Sequence, residues 1–104
     1  HHRHKHNNSI VSGVVFLNAN IDHDKITFCK ENTKVFDLVG KPNLFTCEEI
    51  DLSVGKNYVV LFPSYLEHRV KKTVHDDTRI SLSFNSFTRG ILGNQSDLTE
   101  LKIN

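Results

Sequence analysis

Apolar positions in this chain come in short runs separated by polar clusters, and no window of useful length sustains a helical period. The runs are rich in β-branched and aromatic residues, while Asn, Asp, Gly and Lys fill the gaps, a pattern of strands and turns. Strands are predicted over residues 10–17, 26–29, 35–39, one or two within 44–52, 58–62 (ended by Pro63), 67–73, 79–85 and 98–103. Gly13, inside the first run, marks a bulge or a close backbone approach. Gly40-Lys41-Pro42-Asn43 and residues 53–57 are the strongest turn signals. The run 79–85 alternates most cleanly. Ile80, Leu82 and Phe84 share one face, and Arg79, Ser81, Ser83 and Asn85 share the other. Many short strands with closely spaced turns predict an all-β sandwich or jelly roll.

Composition narrows the class. A chain of 104 residues makes one small domain. Its formal charge of +1, with the main basic cluster outside the His-rich start confined to Arg69-Val70-Lys71-Lys72, lacks the basic stripe of a dedicated nucleic-acid binder. Cys29 and Cys47 form no CxxC pair, so neither a zinc knuckle nor a disulfide framework is indicated, and a reducing, cytoplasmic setting is expected. No apolar run has transmembrane length, and no signal-peptide pattern is present. The chain opens without Met inside its most informative motif, so residues 1–104 are read as one domain forming the C-terminal part of a longer protein.

That motif is His4-Lys5-His6. Residues i and i+2 of an extended segment project from one face, so the two imidazoles can converge on one ion. Iron, zinc, copper and nickel all accept imidazole nitrogen, and a third ligand from a neighbouring strand would complete a facial cap. His68, after the strand and turn of residues 58–66, is the candidate for that third ligand. Arg79, eleven residues on, could anchor an anionic co-substrate. The competing reading makes residues 1–6 a tag remnant or solvated basic tail, but Arg3 and Lys5 interrupt the run. His2-Arg3-His4 is also an H-x-H, so His1 and His2 stay open as ligands. His23 and His75 fall in polar turns and are read as solvated. His75-Asp76-Asp77 is the only H-x-D, and it is rejected because nothing downstream could supply a third ligand.

Three blocks, in order, resemble a family of predicted 2-oxoglutarate/Fe(II) oxygenases of phages and bacteria. They are His4-Lys5-His6-Asn7-Asn8-Ser9 with Ser12-Gly13-Val14-Val15-Phe16-Leu17, then Leu61-Phe62-Pro63-Ser64-Tyr65-Leu66-Glu67-His68-Arg69-Val70, then Arg79-Ile80-Ser81-Leu82-Ser83-Phe84-Asn85. The resemblance covers roughly the first 18 residues and residues 58–86. It implies a cupin-like double-stranded β-helix with Fe(II) held by His4, His6 and His68, and 2-oxoglutarate as co-substrate. Arg79 would pair with the distal carboxylate of 2-oxoglutarate, and Ser81 would hydrogen-bond the same group. Two departures stand out: His6 replaces the usual carboxylate ligand, and Phe16 replaces a tyrosine that contacts the co-substrate. Asn8, Ser9 or Ser64 is expected to supply that polar contact instead. The function expected is hydroxylation of an unidentified substrate. The alternatives are a three-histidine dioxygenase or isomerase that does not use 2-oxoglutarate, and a noncatalytic jelly-roll module.

Overall fold

The computed structural model describes residues 2–30, 40–41, 48–71 and 77–104, and every regular element among them is a strand. These are β1 (Val11–Asn18), β2 (Lys25–Cys29), β3 (Glu49–Ser53), β4 (Tyr58–Pro63), β5 (Glu67–Val70), β6 (Ile80–Asn85), β7 (Gly90–Leu92) and β8 (Leu101–Ile103). They form two three-stranded antiparallel sheets, ordered β4-β1-β6 and β3-β2-β5, and a separate β7–β8 hairpin. Among the described residues the fold is therefore all-β, and the two larger sheets share one hydrophobic core, an arrangement compatible with a β-sandwich.

Alternation determines what lies between the sheets. Val14 and Phe16 of β1 face inward with Val60 and Phe62 of β4, and they meet Ile26 of β2 and Val54. Phe28 joins from β2, its ring 5.1 Å from that of Phe62. The outer face of the β3-β2-β5 sheet is polar and ion-paired. Arg69 forks onto both carboxylate oxygens of Glu49 at 2.9 and 2.8 Å, while Asp51 accepts from the Thr27 hydroxyl and faces Lys71 at 3.4 Å.

The β4-β1-β6 sheet is built the other way. Its outward set is apolar, and Val59, Leu61, Ile80, Leu82 and Phe84 are 40 to 63% exposed. Its inward set on β6 is polar: Ser81, Ser83 and Asn85. Gly13 sits under the apolar face, where a Cβ would collide with the Phe84 ring and lie 2.8 Å from a Leu61 methyl. The close approach expected at Gly13 is thus a side-chain approach, and the register shift in β1 falls between Phe16 and Asn18 instead.

The strands expected at 10–17, 26–29, 58–62 and 79–85 are present within a residue or two, and 67–73 appears as the shorter β5. The strand at 35–39, the start of 44–52, the Pro42-Asn43 half of one turn, Cys47, Lys72, Thr73, His75 and Asp76 lie outside the described residues. The last strand begins at Leu101 rather than residue 98, because Leu98 has a left-handed φ of 55° and belongs to the turn. Nothing in the sequence predicts strand β7. Three residues opening on Gly90, whose φ is 96°, carry too little alternation to read.

Candidate metal centre

His68 is delivered by a tight turn. Pro63 closes β4, Leu66 N–H bonds back to Pro63 C=O at 2.9 Å, and β5 starts at Glu67. His68 then faces inward opposite Phe28, 4% exposed, with its ring 4.5 Å from that of Phe62. The N-terminal arm runs antiparallel to it. His4 and His68 exchange backbone hydrogen bonds of 3.1 and 3.0 Å, and His6 N–H donates to Ser64 C=O at 3.0 Å. Two residues apart on an extended arm, His4 and His6 point the same way, as the H-x-H spacing predicts.

The three rings meet. Their centroids lie 5.0 Å (His4–His6), 4.4 Å (His4–His68) and 5.2 Å (His6–His68) apart, and one nitrogen from each lies within 4.8 Å of the others. Nitrogens bound to one ion at about 2.1 Å can be no more than about 4.2 Å apart, so small side-chain rotations suffice to close the set. The hydrogen bonds also prepare the donors. His4 Nδ1 contacts His2 C=O at 2.8 Å, and His68 Nδ1 contacts Leu66 C=O at 3.0 Å. A carbonyl only accepts, so each Nδ1 carries the proton and each Nε2 lone pair is left for a metal. Burial is the main cause that pushes the His68 pKa below its ordinary value, with the neighbouring His4 and His6 acting the same way against the Leu66 carbonyl. The neutral form, which ligates, is favoured. The donor set therefore fits a transition metal that accepts imidazole, and no carboxylate belongs to the cluster among the described residues.

These histidines line a cavity of ≈190 Å³ whose wall also carries Phe62, Val14, Arg79, Ser81 and Ser83. Alternation puts Arg79, just ahead of β6, on one face with Ser81 and Ser83, and the sheet register turns that face to this cavity. Arg79 is held from behind: one terminal nitrogen reaches Asp24 Oδ1 at 3.3 Å and Lys71 C=O at 2.9 Å. Asp24 is 2% exposed and is itself fixed, its second oxygen accepting from Asn20 N–H at 2.8 Å. Nothing in the sequence singled out Asp24, one of two acids (with Asp22) in a polar turn ahead of a strand and 55 residues from its partner.

The expected polar substitutes for a tyrosine are arranged otherwise. Asn8 is exposed, has φ 61°, and stands outside the cavity wall. Ser9 and Ser64 are not part of the cavity wall and bond each other at 2.7 Å; Ser64 also bonds Ser12 at 2.8 Å, and Ser12 donates to Asn85 Oδ1 at 2.7 Å. Phe16 is fully buried in the core, so its ring serves packing rather than the cavity. His2 contributes its carbonyl to His4 and is not in the imidazole cluster, and His23 is exposed on its turn. Cys29 is a buried free thiol whose pKa burial pushes up.

No helix of the described residues is long and apolar enough to cross a membrane. A family model described as "Putative 2OG-Fe(II) oxygenase" matches residues 1–85, which contain all three clustered histidines and the Arg79 strand. No curated protein and no solved structure matches the chain.

Proposed function

The chain belongs to the 2OG-Fe(II) oxygenase family, and from that premise we propose that it is a hydroxylase-type member. Its sandwich would form the two halves of a double-stranded β-helix, with Fe(II) held by His4, His6 and His68. The observation that carries this reading is the shared cavity, with three imidazoles converging on one wall and an arginine and two serines on the other. Bound Fe(II) would supply the redox chemistry by which O2 and 2-oxoglutarate yield CO2, succinate and a hydroxylated C–H bond.

The chain's own residues supply binding, orientation and shelter. The Arg79 guanidinium, pinned through one nitrogen by Asp24 and Lys71, keeps its remaining N–H groups for a carboxylate, which guanidinium binds with directional, charge-assisted bonds. Ser81 adds a hydroxyl on the same face. Phe62 and Val14 give the cavity an apolar side that limits water around the ligands. His68, inward-facing and tied to Leu66, is the rigid ligand, and the arm bearing His4 and His6 closes the set.

Protein reconstituted with Fe(II) and given 2-oxoglutarate under air is expected to release succinate at a slow uncoupled rate, followed by NMR. No succinate above a metal-free control would overturn the reading. The all-imidazole donor set favours one second reading, a three-histidine dioxygenase that does not use 2-oxoglutarate. Oxygen uptake without succinate would select it.

A further inference from the structure

We propose that Ser9, Ser64, Ser12 and Asn85 are positioning residues, a hydrogen-bonded chain with a buried middle that sets the His4/His6 arm against His68 before metal arrives. The inference rests on the metal-centre reading above. Four separate segments meet in this chain: the arm at Ser9, the β4–β5 turn at Ser64, β1 at Ser12 and the end of β6 at Asn85. Ser64 is fully buried and Ser12 is 1% exposed.

The chain has a single direction. Asn85 Oδ1 can only accept, so Ser12 spends its one proton there and must accept from Ser64, and Ser64 in turn must accept from Ser9, whose one proton takes this 2.7 Å bond over the 3.3 Å approach to Val11 C=O. Each bond thereby polarises the next, and the arm end is the donor that completes the series. Apolar packing at this point would fill space without fixing register, whereas directed bonds of 2.7, 2.8 and 2.7 Å fix it.

Ser64 is the pivot. Its carbonyl receives His6 N–H, its own N–H donates to Ile10 C=O, and its side chain receives Ser9. It also lies in the turn that brings His68 to the site. Beyond these bonds, the arm's contacts among the described residues are the His4–His68 bridge, the Arg3–Glu67 ion pair, Ser9 Oγ to Val11 C=O and Ile10 N–H to Ser86 C=O, so its order depends on few contacts. A ligand pair on a loosened arm must be ordered by the metal itself, which lowers affinity without touching any ligand.

Metal-free protein titrated with Co(II), followed by its visible absorption, tests this in wild type, Ser9→Ala and Ser9→Thr, with thermal unfolding of each apo form. Ser9 lies at the free end, so its removal leaves the Ser64–Ser12–Asn85 bonds in place. Ser9→Ala is expected to weaken Co(II) binding about tenfold, equivalent to about 1.4 kcal/mol, with the apo melting temperature within about 2 °C of wild type. Ser9→Thr, which keeps the hydroxyl, is expected to restore affinity to within about twofold. Unchanged affinity in Ser9→Ala overturns the positioning role while leaving the metal centre standing. A loss that Ser9→Thr does not restore, or one matched by an equal loss of apo stability, also overturns it. Wild-type protein that takes up no Co(II) overturns the metal centre, and the positioning role with it.

Discussion

Arg79→Ala is expected to remove two things at once, a ligand anchor and half of a buried ion pair, and a double variant separates them. Asp24 is 2% exposed and faces the guanidinium at 3.3 Å, with the two side chains 3 and 19% exposed, so water screens the pair only partly. At that distance and an effective dielectric constant near 20 the gross attraction is about 5 kcal/mol, much of it offset by desolvating the two charges. Deleting one partner of such a pair costs about 3–5 kcal/mol because the other charge is left buried. A single long contact, and the Asn20 N–H that stays on the second carboxylate oxygen, place Arg79→Ala at the low end, about 3 kcal/mol. In a domain of this size that is a fall of roughly 10–20 °C in melting temperature. Asp24→Asn combined with Arg79→Ala removes the stranded charge and is expected to recover about half of the loss. Metal-free protein is melted by far-UV circular dichroism, since the chain has no Trp to report. 2-Oxoglutarate binding to the metal-loaded protein is measured by calorimetry, and both the single and the double variant should lose it. A double variant no more stable than Arg79→Ala would refute the ion-pair argument, and one that binds 2-oxoglutarate like wild type would refute the anchoring role.

Three further outcomes are expected. His4→Ala, His6→Ala and His68→Ala should each weaken Co(II) binding by more than about a hundredfold, beyond what loss of an outer-shell partner does, whereas His2→Ala, outside the cluster, should leave it unchanged apart from the effect of its carbonyl's position. The Thr27 hydroxyl, with Lys71 behind it, holds the Asp51 carboxyl below its ordinary value of 3.8. Its contribution is complete above that value and is lost as pH falls through the lower folded-state value, so Thr27→Val should flatten the acid limb of urea midpoints measured from about pH 4 downward. Gly13→Ala places a methyl against the Phe84 ring, and the exposed ring can swing away, so a loss of about 1 kcal/mol is expected with increased binding of an apolar dye at that face. A loss above about 3 kcal/mol would mean that Phe84 is held in place.

Short-range pattern carried the local structure. β1, β2 and β4 were legible as short β-branched and aromatic runs bounded by turn residues, β6 by its period of two, and the H-x-H spacing by itself places His4 and His6 on one side of an extended arm. The alternation in β6 also told which residues travel together, bringing Arg79, Ser81 and Ser83 to one wall. It could not tell which set faces inward, since period two has no direction. The sheet register settles that: the serines turn to the cavity, and Ile80, Leu82 and Phe84 turn outward.

What remained hidden depended on contacts between residues far apart in the chain. Asp24 reaches Arg79 across 55 positions, and the hydroxyl chain joins Ser12 to Ser64 across 52 and to Asn85 across 73. A serine, or one of the two aspartates flanking His23, carries no periodic mark that distinguishes a buried partner from a solvated one. The sequence by itself determined the strand chemistry, the ligand types and their family likeness. Only the tertiary structure decided that three imidazoles share one cavity with an arginine, because convergence depends on pairing across sheets rather than on neighbours in the chain.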